Sequence, residues 1–299
     1  MNAKLTADSM LDTMSRFIDL VGKQLPDDVL KKLCELRAKE QSALANVLYD
    51  SMFENLNKAK ELDRPCCQDT GVIQYFVKAG SNFPLLAQVK EILVEAVRVA
   101  TRTSPLRHNA VETFVEKNTG DNTGTRLPWI DWEIVPNAND IVVDVYMAGG
   151  GCSLPGSAKV LMPSAGYEEI VRFVFDVITS YGINACPPLL VGVGVSTAVE
   201  TAALLSKKAI LRPIGTHHSN PGAAEMEFLM EEGLNKLGIG PQGLSGSSTV
   251  MGVHIESSAR HPSTIAVGVS VGCWAHRRGS IQINEDATYQ ILSHGRETL

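Results

Sequence analysis

The chain lacks any apolar run long enough to cross a bilayer. In its 299 residues the longest such stretches, 189–195 and 265–274, are short and broken by glycine or serine. A spanning helix needs roughly 20 residues. The first residues carry Asp8 and Asp12 and no apolar core of signal-peptide length, so a cytoplasmic protein with no membrane partner is expected. An excess of basic charge is missing too: 27 Lys and Arg stand against 33 Asp and Glu, a net charge of −6. That speaks against broad electrostatic binding of nucleic acid, and a small anionic substrate needs a local basic pocket. There is no internal repeat and no low-complexity linker. With 44% hydrophobic and 20% charged residues, disorder, collagen and coiled-coil rods are excluded.

What is present is a helical amino-terminal third. Leu11, Met14, Ile18 and Val21 recur at helical spacing up to Gly22, and Pro26-Asp27-Asp28 suits a second helix start. Val29, Leu33, Leu36, Leu44, Val47, Leu48 and Phe53 continue apolar stripes through two helices, with Cys34 expected in the core. The helical pattern stops at Arg64-Pro65, and RPCCQDTG (64–71) is a polar loop before a strand-like run from Val72 to Val77. A helix is expected from Leu86 to Ala100, a surface loop over 118–128, and strands over 132–135 and 141–146. AGGGCSLPG (148–156) has the composition of a glycine loop. Further helices are expected over 170–181, 197–207 and 222–237, strands over 189–195, 265–271 and 281–283, and a glycine-rich loop over 238–249. Helices first and strands mixed with helices afterwards make α+β the expected class.

Two familiar constellations fail on inspection. Gly192-Val193-Gly194 lacks the third glycine of a dinucleotide loop, and no carboxylate lies in the region about 20 residues on. A glycine-rich core turn is the better account. His217, His218 and His254 form no HExxH helix, so they are a poor zinc set.

Six cysteines remain: Cys34, Cys66, Cys67, Cys152, Cys186 and Cys273. A disulfide framework is not expected in so large a chain without an export signal. Cys67, Cys186 and Cys273 each lie in or beside a loop, 119 and 87 residues apart, unlike the short paired spacing of structural zinc sites. Their neighbours are more telling. Gln68 and Asp69 follow Cys67, which places a proton acceptor beside a possible Lewis acid. Arg107 and the run His276-Arg277-Arg278 offer positive charge, and arginine suits bidentate carboxylate binding. Arg277 or Arg278 taken singly is better explained as a surface salt bridge.

The strings RPCCQDTG (64–71), PLRHNAVE (105–112), YMAGGGCSLPG (146–156), NACPPLLVGVG (184–194), SSTVMGVHIESSARHPSTIAV (247–267) and GCWAHRRG (272–279) together resemble the alpha-type hydro-lyase family of class I iron–sulfur fumarases and tartrate dehydratases. The likeness runs from about residue 10 to 295, as one catalytic domain, and is closest to the tartrate branch. The resemblance implies a [4Fe–4S] cluster held by Cys67, Cys186 and Cys273, its fourth iron left for substrate. Cys66 departs from the pattern. The resemblance further implies Asp69 as acid/base, Gln68 and Arg107 as substrate contacts, Gly150 as a backbone contact, and His261 as a catalytic or entrance histidine. The implied substrate is a small dicarboxylate: L(+)-tartrate going to oxaloacetate, with fumarate and malate as the alternative. The second domain of single-chain members is absent, so a separate beta subunit is implied, two alpha with two beta. From another class, an iron–sulfur sensor or electron carrier gains nothing from an open iron or a carboxylate-binding loop.

Overall fold

In the computed structural model, residues 4–295 and 297–299 are described. Three helices come first: α1 (Ala7–Lys23), α2 (Asp27–Lys39) and α3 (Ala43–Glu61). There follow β1 (Val72–Gly80), α4 (Val89–Thr103), β2 (Val111–Glu112), β3 (Lys117–Asn118), β4 (Trp129–Val135), β5 (Ile141–Ala148), α5 (Gly150–Ser153) and β6 (Ser157–Leu161). Then come α6 (Gly166–Tyr181), β7 (Leu189–Ser196), α7 (Val199–Ala209), α8 (Pro221–Asn235), β8 (Val250–Ser257), β9 (Ile265–Gly272), β10 (Arg278–Ile283) and β11 (Tyr289–Ile291). The α+β class with a helical amino-terminal region is therefore observed. No described helix is long and apolar enough to cross a membrane.

The chain forms two compact units, each from separated segments. The first holds residues 1–27, 55–149 and 277–299; the second holds 28–54 and 150–276. In the first unit a five-stranded sheet runs in the order β11-β10-β5-β1-β4, with β1 and β4 parallel and the other neighbours antiparallel. α1 starts at a capping box in which Thr6 and Ser9 each accept from the other's backbone N–H. Its buried stripe of Met10, Met14, Phe17, Ile18 and Val21 packs with Leu93, Val97 and Ala100 of α4 and with Tyr75, Val77, Val143 and Val145 of the sheet.

In the second unit a four-stranded sheet runs in the order β6-β9-β7-β8, with β7 and β8 parallel. β7 and β9 are buried along nearly their whole lengths, because helices cover the sheet. Val191, Val193, Val267 and Val269 meet Ile170, Val174 and Met230 of α6 and α8. Lys32 on α2 pairs with Glu231 on α8 at 3.0 Å, and Glu40 accepts the Ser247 N–H at 2.9 Å, which ties residues 28–54 to this unit.

The glycines of Gly192-Val193-Gly194 have a packing reason. A Cβ on Gly194 would run into the carbonyl of Ala202, one on Gly192 into that of Ser206, and one on Gly268 would stand 2.6 Å from the Ala202 carbonyl group. Gly194 and Gly268 are register partners, so α7 lies directly on bare backbone. A methyl group here pushes a helix off its sheet, so Gly194→Ala should cost about 3 kcal/mol, the upper range of overpacking penalties. The midpoint of denaturant unfolding should drop with an unchanged slope.

Several expectations need correcting. Cys34 is exposed: the buried positions of α2 are Val29, Leu33 and Leu36, and the residue after Leu33 is turned about 100° away. Arg277 and Arg278 are not on the surface; they are 2% and 4% exposed. The glycine loop at 148–156 contains the helical turn α5, the strands β2, β3, β6, β8 and β11 were not expected, and Gly192 and Gly194 lie inside the strand β7 instead of in a core turn.

Candidate active site

In the first unit the predicted residues gather where the 64–71 loop enters β1. Gly71 makes that entry possible: its φ is +79°, and a Cβ would stand 2.7 Å from the backbone of Ala148 on β5. Asp69 folds over the turn. Its Oδ1 accepts the Gly71 N–H at 3.0 Å and the Asn109 Nδ2–H at 3.0 Å. Its Oδ2 faces Gly149, where a Cβ would come within 3.0 Å of it. The carbonyl of Asp69 accepts from Arg277 Nη2 at 2.6 Å. One carboxylate oxygen is thus held by two donors, and the other lies against Gly149, where a side chain would not fit.

The Arg107 segment is tied to the same loop. Thr70 Oγ1 accepts the Arg107 N–H at 3.0 Å, and the Asn122 side chain donates to the Arg107 carbonyl at 3.0 Å while accepting the Asn109 N–H at 2.7 Å. The Arg107 and Gln68 side chains are exposed and Asp69 is half-buried. Asn109 and Asn122 are the residues sequence reasoning missed. Asn109 lies inside the quoted string PLRHNAVE, so a question about what fixes Asp69 had a nearby answer. Asn122 carried only the signal of turn composition.

Cys66 and Cys67 sit in this loop with opposite environments. The Cys66 N–H donates to Gly22 at 3.1 Å, its carbonyl accepts from Asn55 at 2.7 Å, and its side chain is 2% exposed. Burial pushes its thiol up to about 11, against the pull of the Arg277 guanidinium. Cys67 is half-exposed. Of the two, Cys67 has the accessible sulfur.

In the second unit the register of the sheet explains how cysteines 87 residues apart converge. β7 and β9 are antiparallel, with Leu190 opposite Gly272. Cys186 lies just before β7 and Cys273 just after β9, so both emerge at one end of the sheet. The Trp274 N–H donates to the Cys186 carbonyl at 3.2 Å, joining the two loops. Cys186 itself holds φ 55° and ψ 75°, a left-handed conformation that costs a residue with a Cβ of order 1 kcal/mol and more. Gly272 permits the turn into Cys273, since a Cβ there would strike the His276 ring, whose Nε2 lies 2.7 Å from the Ile210 carbonyl. α5 stands beside this end as well: a Cβ on Gly151 would lie 2.6 Å from the Asn184 carbonyl. Gly150, Cys186 and Cys273 are therefore neighbours in the fold of this unit.

His261 is not brought to that end. Its N–H donates to Thr197 Oγ1 at 2.9 Å, and Thr197 directly follows β7. His261 thus precedes β9 while Cys273 follows it, and eight strand residues separate them, about 23 Å of extended chain. The Ser263 N–H donates to His261 Nδ1 at 3.1 Å, so the neutral ring carries its proton on Nε2. Arg260 Nη1 ties the loop by donating to the carbonyls of His261 at 3.1 Å and Thr264 at 3.2 Å. Of the histidines set aside as a zinc set, His218 Nδ1 accepts the Asn220 N–H at 2.9 Å, and His254 Nδ1 lies 3.1 Å from the Ala209 carbonyl.

Cysteine is the ligand type that holds iron–sulfur clusters. Among the described residues no three His, Cys, Asp or Glu side chains are grouped as ligands of one metal ion. Thiolates of a cluster each bind a different iron, so they need not meet at a point. Soft thiolates with a buried guanidinium at the Cys66-Cys67 loop match a cluster–thiolate assembly of net negative charge.

The family described as fumarate hydratase (Fumerase) matches residues 11–282. The chain is 57% identical over 298 residues to the L(+)-tartrate dehydratase subunit alpha of Escherichia coli (strain K12), covering 100% of this chain and 98% of that protein. It has the same identity and coverage to the L(+)-tartrate dehydratase subunit alpha of Shigella sonnei (strain Ss046). A relative from Methanocaldococcus jannaschii is 36% identical over 266 residues, 88% of this chain and 93% of the relative.

Proposed function

Because the chain belongs to the fumarate hydratase (Fumerase) family of hydro-lyases, we propose that it is the catalytic alpha subunit of a [4Fe–4S] enzyme that dehydrates L(+)-tartrate to oxaloacetate. Cys67, Cys186 and Cys273 hold the cluster in this proposal, within one catalytic domain spanning 10–295. A beta subunit completes the enzyme, two with two, in the cytoplasm. The observation that carries the assignment is the joining of the Cys186 and Cys273 loops at one sheet end, with Cys186 in a strained backbone conformation.

Dehydration removes a proton from the carbon beside a carboxylate and expels hydroxide from the neighbouring carbon. The cluster, when bound, supplies a Lewis acid for the hydroxyl and carboxylate oxygens. The protein side chains do the rest. Arg107 pairs with a substrate carboxylate, for which its planar donors are suited. Gln68 hydrogen-bonds substrate oxygen, and Gly150 allows the backbone to approach closely. Asp69 exchanges the proton through Oδ2, while Gly71 and Asn109 hold Oδ1 and keep the carboxylate from rotating. Arg277 fixes the Asp69 backbone from beneath. The enol left after loss of water ketonises to oxaloacetate. Of the two roles open to His261, substrate passage suits its place at the far end of β9 better than proton transfer.

Fumarase activity is the second reading, because the matching family is described as fumarate hydratase. Discrimination between such substrates rests on a few polar contacts. The test is an anaerobic assay of the reconstituted alpha–beta enzyme with L(+)-tartrate, malate and fumarate. L(+)-tartrate should have the highest kcat/KM, by about tenfold or more. A higher value for malate or fumarate assigns the chain to the fumarases.

A further inference from the structure

We propose that the free edge of β4 is the docking site for a strand of the beta subunit, one that carries basic residues opposite Asp131 and Glu133 and apolar residues opposite Trp132 and Ile134. This rests on the reading above that the chain works with a separate subunit.

β4 ends the five-stranded sheet. One side pairs with β1 in an unbroken register from Trp129 to Val135; the other side has no neighbouring strand among the described residues. Along it Trp129 is 50% exposed, Trp132 40%, Ile134 52% and Val135 37%. Edge strands are ordinarily blunted by proline, lysine, a bulge or extreme shortness. Residues 129–135 contain no proline and no basic residue, and the register shows no bulge. Besides its two acids, this edge exposes two tryptophans, Ile134 and Val135, apolar surface suited to being covered by another strand.

Charge and proline decide what covers it. A second copy would pair antiparallel about a two-fold axis normal to the sheet. Opposed residues share a face, so the axis must pass a residue position. Centred on Trp132, each Asp131 opposes a Glu133. Centred on Asp131 or Glu133, that acid opposes itself. Like charges directly opposite are unfavourable. Centred on Ile130 or Ile134, Trp132 opposes Pro128 or Pro136, which have no N–H to give the ladder. No register along the strand is free of penalty, so self-pairing is disfavoured. β1 shows what suits β4 instead: Lys78 is the register partner of Glu133, its Nζ 3.9 Å from the carboxylate, and Val77 is the partner of Trp132. A strand of that character from a different chain completes the outer side.

The experiment is hydrogen–deuterium exchange on the alpha subunit alone and in the reconstituted alpha–beta enzyme, with Glu133→Lys and Ile134→Lys as variants and Glu133→Gln as the mild control. Amides over 129–135 should exchange about tenfold more slowly in the complex. Glu133→Lys and Ile134→Lys should each weaken assembly about tenfold or more, Glu133→Gln less; the melting of the isolated subunit should stay nearly unchanged in Ile134→Lys and Glu133→Gln and fall slightly in Glu133→Lys, which sets a lysine opposite Lys78. Unaltered exchange at β4 in a complex that forms and is active overturns the inference and leaves the assigned function intact. Protection that grows with the concentration of alpha alone overturns it in favour of a second copy. Failure of the two subunits to associate overturns both.

Discussion

Asp69→Asn should lower kcat by about 10²–10⁴-fold, the usual worth of a positioned acid or base, while leaving KM and the melting temperature close to wild type. The substitution is nearly isosteric. An asparagine Oδ1 still accepts from Gly71 and Asn109, the two donors that hold the aspartate at 3.0 Å each. The backbone carbonyl still receives Arg277 Nη2. At the position facing Gly149 an oxygen that takes a proton becomes an amide that does not. Steady-state kinetics of the anaerobically reconstituted enzyme read the effect. A kcat within threefold of wild type, with an intact cluster, removes Asp69 from the proton transfer.

The cysteine substitutions should divide sharply. Cys67→Ala, Cys186→Ala and Cys273→Ala should each abolish cluster absorbance after anaerobic reconstitution and reduce activity to background. Cys66→Ala and Cys34→Ala should keep both. The contrast between Cys66 and Cys67 is the informative part, because the sequence sets two thiols side by side. Cys66 is held at both backbone ends, by Gly22 and Asn55, and its sulfur is closed into the core with its thiol pushed up to about 11. A ligand has to give up its proton, which burial of this kind opposes. Cluster loss in Cys66→Ala with retention in Cys67→Ala would exchange their roles.

The helices were legible because apolar periodicity survives into packing: Met14, Ile18 and Val21 lie on the buried stripe of α1. β8 was not, because Gly252 and His254 interrupt an otherwise apolar run, and only pairing with β7 makes it a strand. β6 is short and mostly open, so it carries no alternation at all. The glycine pair lies inside β7 and not in the core turn expected for it, and its reason, a helix seated on bare backbone, lies in α7 and β9. Burial of Arg277 and Arg278 was invisible because charge in a sequence implies water, and only the surrounding fold says otherwise. For the site, the motifs named Asp69 and Arg107, whereas the asparagines that fix them act across 15 to 40 residues. Neighbour patterns along the chain say nothing at that range. His261 shows the reverse: its motif is plain, and the fold sets it at the far end of the sheet.

The most direct test of the central claim is the Mössbauer spectrum of the ⁵⁷Fe-reconstituted alpha–beta enzyme before and after addition of L(+)-tartrate. One iron of the four should change its spectrum on adding the substrate while the other three, which the proposal assigns to Cys67, Cys186 and Cys273, stay as they were. Full dehydratase activity in iron-free protein, or a cluster whose four irons all ignore L(+)-tartrate, would contradict the account.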